Sequence, residues 1–483
     1  MQLMVFSSVV FCFYFLPAVL LCYFLLPGLR LRNAVLTAAS LIFYLWAGLR
    51  TFPLILVSIA LNYLLGLGTA AARRPRARRT VLAAAVVLNL GLLFYYKYFD
   101  YSVHLWNILA GRLAFLPTLE EKGIELPIGI SFFTFQGMSY VIDVYRGKAQ
   151  AQRNPGKLAL YISFFPQLVA GPIVRYTDVS AALDSRRSTV EGFTHGLARF
   201  IIGLGKKVMI ADVLAKSADA VFSMSLPELY PAMAWLGIVC YTLQIYFDFS
   251  GYSDMAIGMG EIFGFHFPEN FRYPYRAVSM QDFWRRWHIS LSSWFRDYVY
   301  IPLGGSRRGS TYLHLAAVFL LTGIWHGAFY TFVFWGVWHG FFVIAERILD
   351  RKFRFRLPAP LGWMFTLLVV LLGWVLFRST GWRTALGFVR VLFGARGGAF
   401  NLYRVSHFLN PQTACTLAVG ILASLGLHRT AADRIAASPR YQRSAAAQNI
   451  VAVGKYIGLL AVLFFSLAMI MNGNYSPFIY FRF

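Results

Sequence analysis

The chain has 483 residues, 58% of them hydrophobic and 13% charged, with a mean hydropathy of +0.58. That excludes a string of soluble domains and points to an all-α polytopic membrane protein. A net charge of +25 would suggest nucleic acid in a soluble protein. Here the arginines gather between apolar segments, which is the positive-inside pattern, so no nucleic-acid partner is implied.

Leu3 to Leu29, Thr51 to Ala72 and Thr80 to Tyr96 carry no charged side chain. Similar runs recur to the C-terminus, which predicts about ten to twelve spans of roughly 17 to 25 residues. Arg30 and Arg32 follow the first run, Arg50 the second, and Arg73, Arg74, Arg76, Arg78 and Arg79 the third. The first and third connections share a side, so both are placed in the cytoplasm and the N-terminus outside. Met1 to Met4 has no lysine or arginine and no small-residue cleavage site is evident, so the first run is expected to stay in the mature chain. Cys12, Cys22, Cys240 and Cys415 lie in apolar runs without C-x-x-C spacing and read as small buried hydrophobes.

From Leu126 to Arg175 the apolar stretches are cut by Pro127, Gly129, Pro166, Gly171 and Pro172. Helix breakers at membrane depth are tolerated where protein or a watery cavity surrounds them, so part of this region should not face lipid. Gly203-Leu204-Gly205-Lys206-Lys207 lacks the rest of a P-loop and reads as an interfacial helix end. Between Pro231 and Gly260 an apolar span holds Asp248, Ser250, Tyr252, Ser253 and Asp254. Two carboxylates in one span are costly. They either line a cavity or pair with a cation, Asp248 being the deeper of the two.

In Asp282 to Tyr298, Trp284, Trp287, Leu291, Trp294 and Tyr298 fall on one helical face and Asp282, Arg285, Arg286, Arg296 and Asp297 on the other. This predicts an amphipathic helix at a membrane interface or cavity rim, with His288 between the two arcs. The following Ile301 to Gly309 is a glycine-rich basic loop, a weak phosphate signal on its own. In Gly323-Ile324-Trp325-His326-Gly327 an imidazole sits in a run apolar enough for lipid, flanked at helical spacing by Thr322, Gly323, Phe329 and Tyr330. A histidine in such a run is either a satisfied core residue or a proton acceptor working near neutral pH. On one continuous helix His339 would point about 140° away from His326, which disfavours a metal pair. No G-x-S-x-G, H-E-x-x-H or G-x-x-x-x-G-K-[ST] pattern occurs.

Taken in order, the strings Asp248-Phe249-Ser250-Gly251-Tyr252-Ser253-Asp254, Phe283-Trp284-Arg285-Arg286-Trp287-His288-Ile289-Ser290-Leu291-Ser292, Arg296-Asp297-Tyr298, Ile301-Pro302-Leu303-Gly304-Gly305, Gly323-Ile324-Trp325-His326-Gly327 and the terminal Pro477 to Phe483 resemble the membrane-bound O-acyltransferase family over the whole chain. The resemblance implies a ring of about ten to twelve transmembrane helices, with re-entrant and interfacial helices around a central tunnel. It implies a single domain over 1–483, with scaffold spans in 1–100, the catalytic core in 126–345 and further spans in 361–483. By the same resemblance His326 lies in the tunnel, His288 is the second signature histidine, and both are catalytic. The donor is acetyl-CoA on the cytoplasmic side, a substrate rather than a cofactor, and the acceptor hydroxyl comes from outside. In the acetylating branch acetyl passes to an extracytoplasmic SGNH-hydrolase-like partner and on to alginate or another extracellular polysaccharide, at the bacterial cytoplasmic membrane.

The expected chemistry is general-base catalysis by His326, with oxyanion donors from His288 or backbone amides. Arg285, Arg286 and Arg296 would meet coenzyme A phosphates or, equally, lipid headgroups. Asp248, Tyr252, Trp287 and Trp325 complete the candidate substrate-binding set. Three alternatives stay open: the branch that moves D-alanine from a carrier protein to teichoic acid, a transporter or flippase with a polar midplane site, and a noncatalytic assembly platform.

Overall fold

The computed structural model describes residues 4–113, 115–395, 403–473 and 478–479. Among them all regular structure is helical. In chain order the main helices are α1 (Phe11–Leu25), α2 (Leu29–Ala47), α3 (Phe52–Ala71), α4 (Pro75–Ala110), α5 (Ile130–Tyr145), α6 (Pro155–Ser163), α7 (Tyr176–Ser185), α8 (Val190–Gly205), α9 (Asp212–Phe222) and α10 (Pro231–Ile262). Then follow α11 (Met280–Arg286), α12 (Ile289–Phe295), α13 (Thr311–His326), α14 (Tyr330–Lys352), α15 (Ala359–Arg378), α16 (Trp382–Leu392), α17 (Pro411–Ser424), α18 (Leu427–Ala437) and α19 (Ala445–Met471).

The chain forms two compact units, Met1–Leu197 with Ala256–Pro268, and Ala198–Met255 with Glu269–Phe483. Among the described residues six helices, α3, α4, α10, α14, α15 and α19, are long and apolar enough to cross a bilayer, and the α17–α18 pair, bent by 58°, makes up to seven. Other apolar runs fold as shorter helices such as α1 and α13. The Leu3 to Leu29 run stops at Leu26, whose extended backbone (ψ 133°) is what a residue before proline prefers.

In the first unit α3, α4 and α5 pack on a polar knot. Asn62 and Asn89 exchange two side-chain amide bonds of 3.1 and 3.0 Å, and each also donates to a carbonyl one turn back. The stretch from Tyr161 to Val174 is buried throughout, as the helix breakers in this region predict. Its backbone is held by contacts such as Phe165 N–H to Ser40 Oγ, 3.0 Å.

In the second unit α13 and α14 form a hairpin whose helices touch through glycine. A Cβ on Gly323 would lie 2.5 Å from the Phe332 carbonyl oxygen, and one on Gly336 2.4 Å from that of Phe319. No side chain fits between them. Two sequence expectations change here. Asp282 to Tyr298 is not one helix: it breaks at Trp287-His288, where His288 takes a left-handed conformation (φ 45°), and it closes in a π-helical turn at Arg296–Tyr300. Gly203 to Lys207 is not a helix end, because α8 runs on through a π-helical turn into α9. Lys207 lies buried in that turn, Lys206–Ala211. Of the cysteines only Cys240 is buried; Cys22 and Cys415 are exposed on the outer faces of their helices. Of the terminal string, only Phe478 and Ile479 lie among the described residues.

Candidate active site

α13 opens on a Ser310 cap, whose hydroxyl accepts from the Leu313 N–H, and it ends at His326. Gly327 then leaves helical space, and it does so without a side chain because a Cβ there would strike the Phe332 ring at 2.4 Å. His326 is 4% exposed. Its imidazole packs edge-to-face with Trp325, Trp335 and Phe377, at centroid distances of 4.9, 5.0 and 5.3 Å. Because the helix stops here, Phe329 and Tyr330 belong to the next turn and helix, and the expected flanking set reduces to Thr322 and Gly323. The same break voids the wheel that separated His326 from His339: both rings pack on Trp335, His339 at 4.9 Å.

His288 is fixed from a distance in sequence. Asn270 Oδ1 accepts from the Ser290 N–H (3.3 Å) and the Ser290 hydroxyl (2.8 Å), and lies 3.1 Å from His288 Nδ1. The Asn270 amide nitrogen donates to Ser253 Oγ, 3.1 Å, and the Ser290 N–H, which can only donate, sets which end of that amide is oxygen. The proton between Asn270 and His288 therefore sits on Nδ1. Burial lowers the imidazole pKa to about 3, so the ring is neutral and its Nε2 carries a lone pair. Such a ring accepts at Nε2 and cannot donate to an oxyanion, contrary to one role expected from sequence. The Trp325 ring touches both imidazoles, lying 6.1 Å from His288.

Two clefts flank the hairpin at opposite ends. One, of about 260 Å³, is lined by the middle and later part of α13 (Leu315, Phe319, Thr322) and the later part of α14 (Val343, Arg347), with Trp284, Arg285 and Arg296 completing it. Thr322 stands one helical turn, about 6 Å, before His326. The other, of about 110 Å³, is lined by Thr331 and Phe332 at the start of α14, Phe377 and Arg378 at the end of α15, and Asp219 and Gln244. Arg378 and Asp219 form an ion pair there, 2.8 Å. Phe377 belongs both to this cleft and to the packing of His326.

The remaining candidates separate. Arg285 and Arg296 line the larger cleft, and Arg296 also pairs with Asp297 at 2.7 Å. Arg286 instead bonds Asp282 at 2.8 Å. Trp287 is buried in an aromatic pile with Phe271, Phe283 and Trp374. Asp248 is an internal counter-ion: Lys207 Nζ lies 2.7 Å from one oxygen and the Ile479 N–H donates to the other, also 2.7 Å. Lys207 reaches Asp212 as well, at 2.6 Å. Tyr252 packs on Phe478 at 4.9 Å. Asp254 holds Arg199 and Lys206.

Sequence reasoning missed Lys207, Asn270, Trp335, Arg347 and the Asp219–Arg378 pair. Lys207 carried a signal, a lysine inside the apolar run from Phe200 to Ala215 with Asp212 five places on. Asn270 carried none, because its value comes from a fold that brings it to His288.

An all-helical membrane chain with a buried Trp-His-Gly imidazole between two clefts defines a narrow class. The membrane-bound O-acyltransferase family profile matches residues 152–381, and the chain belongs to that family as an O-acyltransferase. It is 39% identical over 504 residues to the Probable alginate O-acetylase AlgI of Azotobacter vinelandii, covering 99% of this chain and 100% of that one. It is 36% identical over 431 residues to the Peptidoglycan O-acetyltransferase of Helicobacter pylori, covering 82% and 80%. A Teichoic acid D-alanyltransferase of Bacillus subtilis matches over a shorter region, 32% identical over 216 residues, covering 41% and 53%.

Proposed function

We propose that this enzyme moves acetyl from cytoplasmic acetyl-CoA to a hydroxyl on the far side of the cytoplasmic membrane, for O-acetylation of an alginate-like extracellular polysaccharide. The observation that carries the reading is the position of His326, buried at the end of α13 between clefts at opposite ends of one hairpin. The larger cleft has the character of a thioester site, an apolar bed with Arg285, Arg296 and Arg347 to meet phosphates. Its end of α14 continues into Arg351, Lys352, Arg354 and Arg356, the charge expected on the cytoplasmic side. The smaller cleft then faces outward and admits the acceptor. The two clefts are the ends of the tunnel that the family resemblance implies, within a ring of about ten to twelve helices.

In this reaction His326 takes the proton of the acceptor hydroxyl as its oxygen attacks the thioester carbonyl. The C-terminal end of a helix favours the positive charge that forms on the ring. Collapse of the adduct breaks the C–S bond, and the imidazolium returns its proton to the leaving thiolate. His288, neutral, stands against the Trp325 ring that packs on His326 and helps hold it in place. An SGNH-hydrolase-like partner outside the membrane receives the acetyl and passes it to the polymer. The long alignments with O-acetylating relatives favour this over D-alanyl transfer.

The test is acetyl-ester content of polymer in cells carrying His326→Ala, with purified variant assayed for coenzyme A release from acetyl-CoA. Equal insertion with transfer lost by a factor of about 10² to 10⁴ is expected. Full transfer by that variant would overturn the reading.

A further inference from the structure

Several indoles of this chain satisfy their N–H on a main-chain carbonyl: Trp235 on Leu392 at 3.0 Å, Trp338 on Val369 at 2.9 Å and Trp363 on Tyr275 at 2.8 Å. Trp335 does not. Trp335 is 1% exposed, and its Nε1 has no acceptor within reach among the described residues. Its ring is nonetheless held on five sides, by Trp284, His326, His339, Trp374 and Phe377. A buried donor without an acceptor costs stability that phenylalanine at the same place would not. The cost falls beside the imidazole, on a ring packed against Trp284, which lines the larger cleft, and Phe377, which lines the smaller. His288 cannot fill the donor role there, because its neutral ring presents a lone pair.

We infer that the indole N–H of Trp335 is the oxyanion donor of this enzyme, receiving the charge that develops on the thioester carbonyl oxygen. The inference rests on His326 being the base. As the hydroxyl oxygen bonds to the carbonyl carbon and its proton passes to His326, the carbonyl π pair moves onto oxygen and the Trp335 N–H bonds to it. When the C–S bond breaks the pair returns, the thiolate leaves with the proton from His326, and the indole N–H is released. A donor fixed in a dry aromatic wall needs no reorganisation at that moment, which is where such groups gain most. In the resting enzyme it stays unsatisfied because its acceptor exists only during the reaction.

Replacing Trp335 with benzothienylalanine puts sulfur where the N–H stands and keeps the shape of the ring; Trp335→Phe removes the N–H and part of the bulk. In purified, reconstituted enzyme the first variant should lose about 10²- to 10³-fold in kcat with KM for acetyl-CoA unchanged, and the second at least as much. Wild-type kcat in the benzothienyl variant, with His326→Ala silent, overturns the donor and leaves the base standing. A kcat loss matched by a rise in KM also overturns it, because that is the mark of a damaged binding wall. Transfer surviving in His326→Ala removes both.

Discussion

The α3–α4–α5 knot and the α13–α14–α15 corner are both packed close enough to need glycine, Gly137 against Asn62 in one and Gly323 against Gly336 in the other. They treat buried polarity in opposite ways. Asn62 and Asn89 answer each other, and the backbone takes what is left. Around Trp335 polar atoms go unanswered: its own N–H, the Trp284 N–H and both ring nitrogens of His339 have no hydrogen-bond partner among the described residues. The first arrangement fixes how helices meet in a medium without water. The second withholds hydrogen bonds from the fold, which is reasonable only where another molecule is to use them.

The contrast can be broken most forcefully at Gly336. Gly336→Ala puts a methyl 2.4 Å from the Phe319 carbonyl oxygen, so the hairpin must open. Transfer should fall at least about 10²-fold from misplacement of His326, beyond what a stability loss of about 1–3 kcal/mol explains; kinetics on protein shown folded by size exclusion checks this. Asn62→Ala strands the Asn89 amide, and thermal unfolding should show a loss of about 1–3 kcal/mol, with activity per folded molecule kept. The double replacement Asn62→Leu with Asn89→Leu should recover much of that loss. At His339 the sign reverses. His339→Phe removes two unanswered nitrogens, so stability should hold or rise by about 1 kcal/mol; a fall of the size seen for Asn62→Ala would erase the contrast.

The smallest effect is with pH. The His288 pKa is lowered to about 3 by burial, against about 6.5 for a free imidazole. Between these values the unfolded chain binds the proton and the native one does not, so this residue disfavours the native state increasingly as pH falls below about 6.5 and is without effect above it. His288→Asn should therefore lose less of its unfolding temperature than the wild type between pH 7 and pH 5. Equal losses in both would place the proton on native His288 as well.

Element positions were largely legible in the sequence, since an apolar run bounded by proline or arginine translates directly into a helix: Thr51 to Ala72 became Phe52–Ala71, and Pro231 to Gly260 became Pro231–Ile262. The burial of the Trp-His-Gly histidine was legible too, from the apolar run that holds it. What periodicity could not supply was the break at His288, where a non-glycine residue takes a left-handed backbone because Asn270, eighteen positions earlier, binds it. Nor could it find Trp335, whose importance lies in lacking a partner, a property that exists only once neighbours are placed. Asp248 drew notice as a costly charge, correctly, but its partners Lys207 and Ile479 come from far along the chain.

At Gly323 and Gly336 the seam between α13 and α14 sets the distance between these helices by main chain, with the Phe319 side chain against Gly340 beside it. Their register is thus insulated from the identity of the side chains that line the larger cleft. Trp284 and Val343 can be exchanged for smaller or larger groups without prying the pair apart. This makes that wall the natural place to retune which acyl group is carried, while the frame beneath it stays as it is.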